Sequence, residues 1–241
     1  MTFRVVLFAC WVAIGAAGSA SSAGAPARSI DLSGLASSLD LSERGAARWL
    51  TRLEAKGSDP SAERLLAVTA SGEPVMERDG GRSYVVVGMD LDQLLRQQDR
   101  SIVLIHNHPS NVGLSAADIG QLARPGVAAI VAVGHDSSVF VAAPGLRMEP
   151  DHVEAQQYAQ ASAEVTRRLR REWPLERVPF AVADAHLSHL VARALAGTGV
   201  IDYWFALRGT SRESYERARL VFGQVVAGTT AQLKLRGRMD H

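Results

Sequence analysis

The most constraining feature of the chain is the run IVLI at 102–105, which leads directly into His106 and His108. Side chains along a strand alternate between the two faces of a sheet, so a run that is apolar at every position predicts burial on both faces. The run therefore predicts an interior strand of a sheet. The polar residues that follow it, HNHPSNVGLSAADI, lie where that strand ends.

Short strand-like and helical segments surround this run. A helix is predicted at 42–56, where Ser42 is the N-cap and Gly57 follows the end. The strand-like segments RLLAVTA, VMERDG and SYVVVG are separated by turn signals, and a short amphipathic helix precedes the buried run. After it come a helix capped by Ser115 and two more strands, GVAAIVAVG and SVFVAAP. This order predicts an α/β or α+β domain at 41–148, with a mixed sheet flanked by helices.

The segment at 149–241 has mostly helical periodicity, and we predict a helical C-terminal extension packed on the sheet domain. Overall composition is that of an ordinary globular protein, with 47% hydrophobic and 21% charged residues. The 26 basic and 25 acidic residues give a net charge of +1, so no global field favours nucleic acid or an anionic membrane. The sequence predicts nothing about oligomeric state.

The N-terminus has the features of a secretory signal peptide. Arg4 precedes an apolar run of 13 residues, and small residues then offer cleavage points after Ala20 or Ala23. We predict a signal peptide at 1–23, a linker at 24–40, and a secreted or periplasmic protein. One alternative is a membrane anchor, although a membrane-spanning helix needs about 20 apolar residues. The other is a start codon assigned too early, in which case the protein would be cytoplasmic.

The only cysteine, Cys10, lies in this apolar run, so the mature chain would have no thiolate ligand. A zinc site would then need histidine and carboxylate. His106 and His108, two residues apart on a strand, point to the same side. Asp118 lies in the first turn of the helix that Ser115 caps, so the helix start faces the same place. Two imidazoles and one carboxylate are sufficient ligands for a catalytic zinc ion.

Each half of this pattern is common by itself. His-x-His is frequent in proteins, and Ser-x-x-Asp is an ordinary helix start. Their combination on a strand, loop and helix is what favours a metal site. The other histidines are weaker candidates: His135 lies in a predicted hairpin turn, whereas His186 and His189 share a helical face, where packing or solvation is favoured.

The sequence HNHPS followed by Ser-x-x-Asp resembles the motif of the JAMM (MPN-type, JAB-domain) zinc metalloproteases, and is especially similar to their RadC-like bacterial branch. The resemblance covers about 63–143. It implies an MPN-type core of the cytidine-deaminase-like kind, with His106, His108 and Asp118 as Zn²⁺ ligands. It also implies that Ser115 helps to hold the oxyanion and that an upstream glutamate is the general base, acting through the zinc-bound water.

Three glutamates are candidates for that base. Glu63 immediately precedes RLLAVTA and best matches the order and separation that the resemblance implies. Glu73 lies in a turn and Glu77 within the second strand, so either fits a surface residue. We predict Glu63 as the base and keep Glu73 and Glu77 as alternatives.

Together these features predict a zinc-dependent peptidase or isopeptidase. Its substrate would be a peptide or an isopeptide-linked protein, extracytoplasmic if the leader is a true signal. One alternative is a non-catalytic MPN-type binding scaffold. Such a scaffold would need none of the four polar residues of the motif, which are His106, His108, Ser115 and Asp118. The other is a RadC-like protein linked to DNA processing, against which the leader and the near-neutral charge argue.

Overall fold

The structure is a computed structural model that describes residues 28–29, 62–69, 71–81, 88–97, 101–108, 110–148, 154–172 and 177–239. The signal peptide, the helix at 42–56 and nearly all of SYVVVG lie outside these residues and stay predictions. Among the helices described, none combines the length and the apolar character needed to cross a membrane.

The described residues form a seven-stranded mixed sheet and five helices. The strand order across the sheet is β1-β7-β6-β5-β4-β2-β3. The strands are β1 (Arg28–Ser29), β2 (Arg64–Thr69), β3 (Pro74–Asp79), β4 (Ile102–His108), β5 (Val127–Gly134), β6 (Val139–Pro144) and β7 (Ile201–Ala206). The helices are α1 (Met89–Gln97), α2 (Ala116–Gln121), α3 (Glu154–Glu172), α4 (Phe180–Thr198) and α5 (Gly209–Met239). The predicted mixed α/β architecture is therefore confirmed, whereas an MPN-type identity stays a prediction.

Strand β4 is the interior strand that the sequence predicts. It pairs antiparallel with β2 and parallel with β5, and all seven of its residues are buried. Its alternate side chains enter two separate apolar clusters: Leu104 packs in the larger cluster, which includes the helices, and Ile105 packs in the smaller one on the opposite face. The position of each polar residue at the end of β4 therefore determines the face of the sheet on which its side chain lies.

The C-terminal region differs from the prediction in one respect. It is helical over α3, α4 and α5, but β7 interrupts the helices and pairs antiparallel with β6. Alternating burial of β7 matches the apolar residues Ile201, Tyr203 and Phe205. Within the predicted linker, Arg28–Ser29 pairs parallel with β7. The extension is thus not helical throughout, because β7 belongs to the same sheet as β4.

Burial of β4 gives a direct test of the fold. Leu104 has no exposed surface, and Leu104→Ala should lower the free energy of unfolding by about 2–5 kcal/mol through lost burial and a cavity. Leu220→Ala on α5, where the side chain is 78% exposed, is the control and should change it by less than about 0.5 kcal/mol. Urea titration of both variants checks this, and equal losses would contradict the placement of β4.

Candidate metal centre

His106 and His108 lie on the same face of β4, at its C-terminal end. His106 is beside Leu65 of β2, and His108 is beside Gly134 of β5. Their ring centroids are 4.6 Å apart, and the two Nε2 atoms approach to 2.8 Å. Both residues are buried. Two nitrogen atoms therefore converge on one point beyond the strand.

Asp118 reaches the same point from the first turn of α2. Its Oδ1 is 3.1 Å from His106 Nε2, and its Oδ2 is 3.4 Å from His108 Nε2. A capping box fixes this carboxylate: the Ser115 N–H donates to Asp118 Oδ2 at 2.7 Å, and the Asp118 N–H donates to Ser115 Oγ at 3.2 Å. The capping box thus fixes the carboxylate that converges with the two histidines.

The donor set fits a divalent metal ion. A tetrahedral ion with bonds of about 2.0–2.1 Å holds its ligand atoms about 3.3 Å apart, close to the separations in this group. His108 Nδ1 lies 2.9 Å from the Val112 carbonyl oxygen. Donation from Nδ1 to that carbonyl leaves the lone pair of a neutral imidazole on Nε2, as a metal ligand requires. His106, His108 and Asp118 can therefore bind a metal ion.

The electrostatics of this group favour a charged pair. Burial alone would raise the pKa of Asp118, but the two histidines outweigh it and hold that pKa well below its usual range. Burial likewise lowers the pKa of His108, yet the hydrogen bond and charge of Asp118 outweigh it, so the net shift is upward. A proton and a metal ion consequently compete for the same imidazole nitrogen.

Glu63 lies on the same face as the two histidines. It lies two residues before Leu65, the last residue of β2 that pairs with β4, and its carboxylate interacts electrostatically with His108, His106 and Asp118. Backbone bonds with Gly80 and Gly81 also tie Glu63 to the end of β3. Its side chain is 9% exposed, and burial raises its pKa despite the lowering influence of His108 and His106. A carboxylate with a raised pKa is a better proton acceptor near neutral pH.

The two alternative glutamates lie elsewhere. Glu77 pairs with Leu66, whose side chain is in the smaller apolar cluster, so Glu77 is on the face opposite the histidines. Glu73 lies in the turn after β2, at the end of that strand remote from Glu63. Both are exposed. Of the three candidates, only Glu63 is brought to the metal-binding group.

Asn107, to which the sequence assigned no role, links β4 to the segment that carries Glu63. Its Oδ1 accepts from the Arg64 N–H at 2.7 Å, and its Nδ2 donates to the Ala62 carbonyl at 2.9 Å. The only feature of the sequence that could have indicated this link is the amide itself, which stands at a position where the preceding strand pattern predicts an apolar side chain.

The loop between His108 and Ser115 is held by the C-terminal helices. Tyr158 of α3 donates from its hydroxyl to the Leu114 carbonyl at 3.2 Å. Gly113 packs against the backbone of His189 on α4, so closely that a Cβ atom there would lie 2.9 Å from the His189 nitrogen. The two ligand-bearing elements are therefore joined by a loop that depends on residues far along the chain.

The remaining histidine predictions agree with the structure. His135 is exposed in the turn between β5 and β6. His189 is fully buried, with Nδ1 2.9 Å from the Tyr203 hydroxyl, and His186 Nε2 lies 2.8 Å from Ser214 Oγ. Burial lowers the pKa of His186 to about 4. Both residues pack, neutral, against aromatic side chains.

Comparison with protein-family models, curated proteins and solved structures found no significant match to this chain.

The charged pair predicts an unusual pH dependence for metal-free protein. Because the pKa of folded His108 lies above its ordinary 6.5, its pairing with Asp118 stabilises the fold below pH 6.5, and that stabilisation is lost as pH rises through the folded pKa. Asp118→Asn removes the partner charge. With chelator present, we expect its deficit in unfolding free energy to be larger at pH 5.5 than at pH 8.5.

Asp92→Asn is the control, because Asp92 pairs with Arg96 and Arg124, which stay charged over this range. Its deficit should be the same at both pH values. An equal deficit for Asp118→Asn at the two pH values would contradict the coupling between Asp118 and His108.

Proposed function

We propose that this chain is a zinc-dependent metallopeptidase or isopeptidase of the JAMM type. The single observation that carries the proposal is the convergence of His106, His108 and Asp118 beside a buried glutamate with a raised pKa. The three side chains would hold Zn²⁺ through two imidazole Nε2 atoms and the carboxylate. Zinc, when bound, supplies Lewis-acid activation of water and of the scissile carbonyl.

Glu63 moves the proton in this scheme. Its carboxylate accepts a proton from the attacking water and then donates it to the leaving nitrogen of the amide, so that one group serves as base and acid in turn. The raised pKa of Glu63 suits both roles, because the carboxyl group can hold the proton between the two transfers. The amide C–N bond breaks, leaving a carboxylate and an amine.

Ser115 supplies a hydrogen-bond donor. Its Oγ already accepts from the Asp118 N–H at 3.2 Å, and this fixes the oxygen while the hydroxyl proton can still be donated. Ser115 is partly exposed at the start of α2. We assign it to the developing oxyanion, where a fixed donor stabilises the transition state more than the ground state.

The burial of these groups argues against a purely structural domain. Removing a carboxylate and two imidazoles from water costs free energy, and apolar residues of similar volume often stabilise such a position as well or better. A binding scaffold would gain nothing from convergent Nε2 atoms. The substrate class, a peptide or an isopeptide-linked protein, and its extracytoplasmic location follow from the resemblance and the predicted leader.

Metal content tests the ligand set. The purified protein should contain roughly one zinc per chain, and His108→Ala should lose it, because two of the three side chains cannot hold the ion tightly. His135→Ala, at an exposed turn, is the matched control and should keep it. Elemental analysis measures this. Equal zinc in all three proteins would show that the ion is bound elsewhere, and no zinc in the parent would favour the scaffold.

Glu63→Gln tests the proton transfer separately. The variant should keep its zinc and lose about 10²–10⁴-fold in kcat, because glutamine cannot accept the proton. Glu77→Gln, on the opposite face, should match the parent. The assay uses a library of internally quenched peptides that includes lysine ε-linked isopeptides, with kinetics on the peptide cleaved fastest. Retained turnover in Glu63→Gln would exclude Glu63 as the base.

A further inference from the structure

We propose that Asn107 is the positioning residue for Glu63: its side-chain amide clamps the backbone on both sides of the glutamate and so fixes it opposite the metal-binding histidines. This inference rests on the proposed function, in which Glu63 transfers the proton. It assigns a second role to the ligand-bearing strand, beyond presenting His106 and His108.

Two hydrogen bonds carry the proposal. The Arg64 N–H, on the residue after Glu63, donates to Asn107 Oδ1 at 2.7 Å. The Ala62 carbonyl, on the residue before Glu63, accepts from Asn107 Nδ2 at 2.9 Å. Both distances are those of well-formed bonds. One side chain therefore holds both peptide groups that flank Glu63.

The clamp acts where regular strand pairing ends. The described pairing of β2 with β4 runs from Thr69 to Leu65, opposite His106, and Glu63 lies beyond it. The Asn107 amide thus ties the segment around Glu63 to β4 beyond the last residue of that ladder. Beyond that point, the Asn107 side chain takes over from backbone pairing and bonds the backbone of Arg64 and Ala62.

Only an amide satisfies both neighbours. The Arg64 N–H needs an acceptor and the Ala62 carbonyl needs a donor, and asparagine presents one of each in a single plane. Aspartate would lose the donor and add a negative charge near Glu63. An apolar residue would suit the strand pattern, since Asn107 is 2% exposed, but would leave both backbone groups without this partner.

Alternation along β4 separates the clamp from the metal ligands. Asn107 has the parity of Val103 and Ile105, which pack in the smaller apolar cluster, whereas His106 and His108 face the other side. Replacing Asn107 therefore removes no ligand atom. The expected defect is in the placement of the base, with metal binding retained.

The test compares the kinetics of Asn107→Ala and the parent on the internally quenched peptide that the parent cleaves fastest. Zinc content and amide hydrogen exchange are measured in parallel. We expect zinc retained, kcat lowered about 10- to 100-fold, as is typical when a supporting partner is lost, and KM within about twofold. The Arg64 amide should exchange faster. In a Glu63→Gln background, Asn107→Ala should cause no further loss of kcat, because the residue to be positioned is already inactive.

Val103→Ala is the matched control, since Val103 is equally buried in β4 and has the same parity. It should lower stability and leave both kcat and the Arg64 amide unchanged. If Asn107→Ala fails to fold, Asn107→Asp serves instead: it keeps the acceptor for Arg64, so that amide should stay protected while kcat still falls. Loss of kcat in the control as large as in the Asn107 variant would overturn the proposal.

Two other outcomes are separable. Unchanged exchange at Arg64 in Asn107→Ala, or an equal further loss of kcat in the Glu63→Gln background, overturns the clamp but leaves the metallopeptidase proposal intact. Full turnover of Glu63→Gln overturns the assignment of the base, and the positioning role of Asn107 falls with it.

Discussion

Burial of β4 on both faces is the constraint on which the rest of this structure depends. A strand that is covered on both sides has no freedom to rotate, so each residue at its end is committed to one face by parity. His106 and His108 share the face of the larger apolar cluster, and Asn107 takes the other. A one-residue slip in register would exchange them and abolish the metal-binding group. The apolar residues of β4 thus determine where its polar residues act.

The cost of burying charge is offset inside the site itself. Asp118 is stabilised by two histidines and a helix cap, and its charge in turn favours a proton or a metal ion on the imidazoles. Burial raises the pKa of Glu63 even though His108 and His106 lower it. The pKa values of these two carboxylates are therefore shifted in opposite directions by their surroundings.

Local patterns predicted much of this architecture. The apolar run gave β4, the cap signal gave α2, and the spacing of His106 and His108 gave their common face, because each depends on residues close in the sequence. Glu63 was predicted from the order and separation that the family resemblance implies, and its role stays a prediction. Long-range contacts were not predictable: the alternation in β7 is short and follows a helix, and the partners of Asn107 are more than 40 residues away.

The loop that joins the two ligand-bearing elements has a further consequence for how the chain can be divided. Tyr158 and His189 hold that loop from helices that follow the last strand predicted from sequence, and β7 completes the sheet beyond β6. A fragment ending at residue 148 would contain every proposed zinc ligand and the base, yet lack the surface against which they are set. The residues that support the site therefore extend well past residue 148, through α3, α4 and β7.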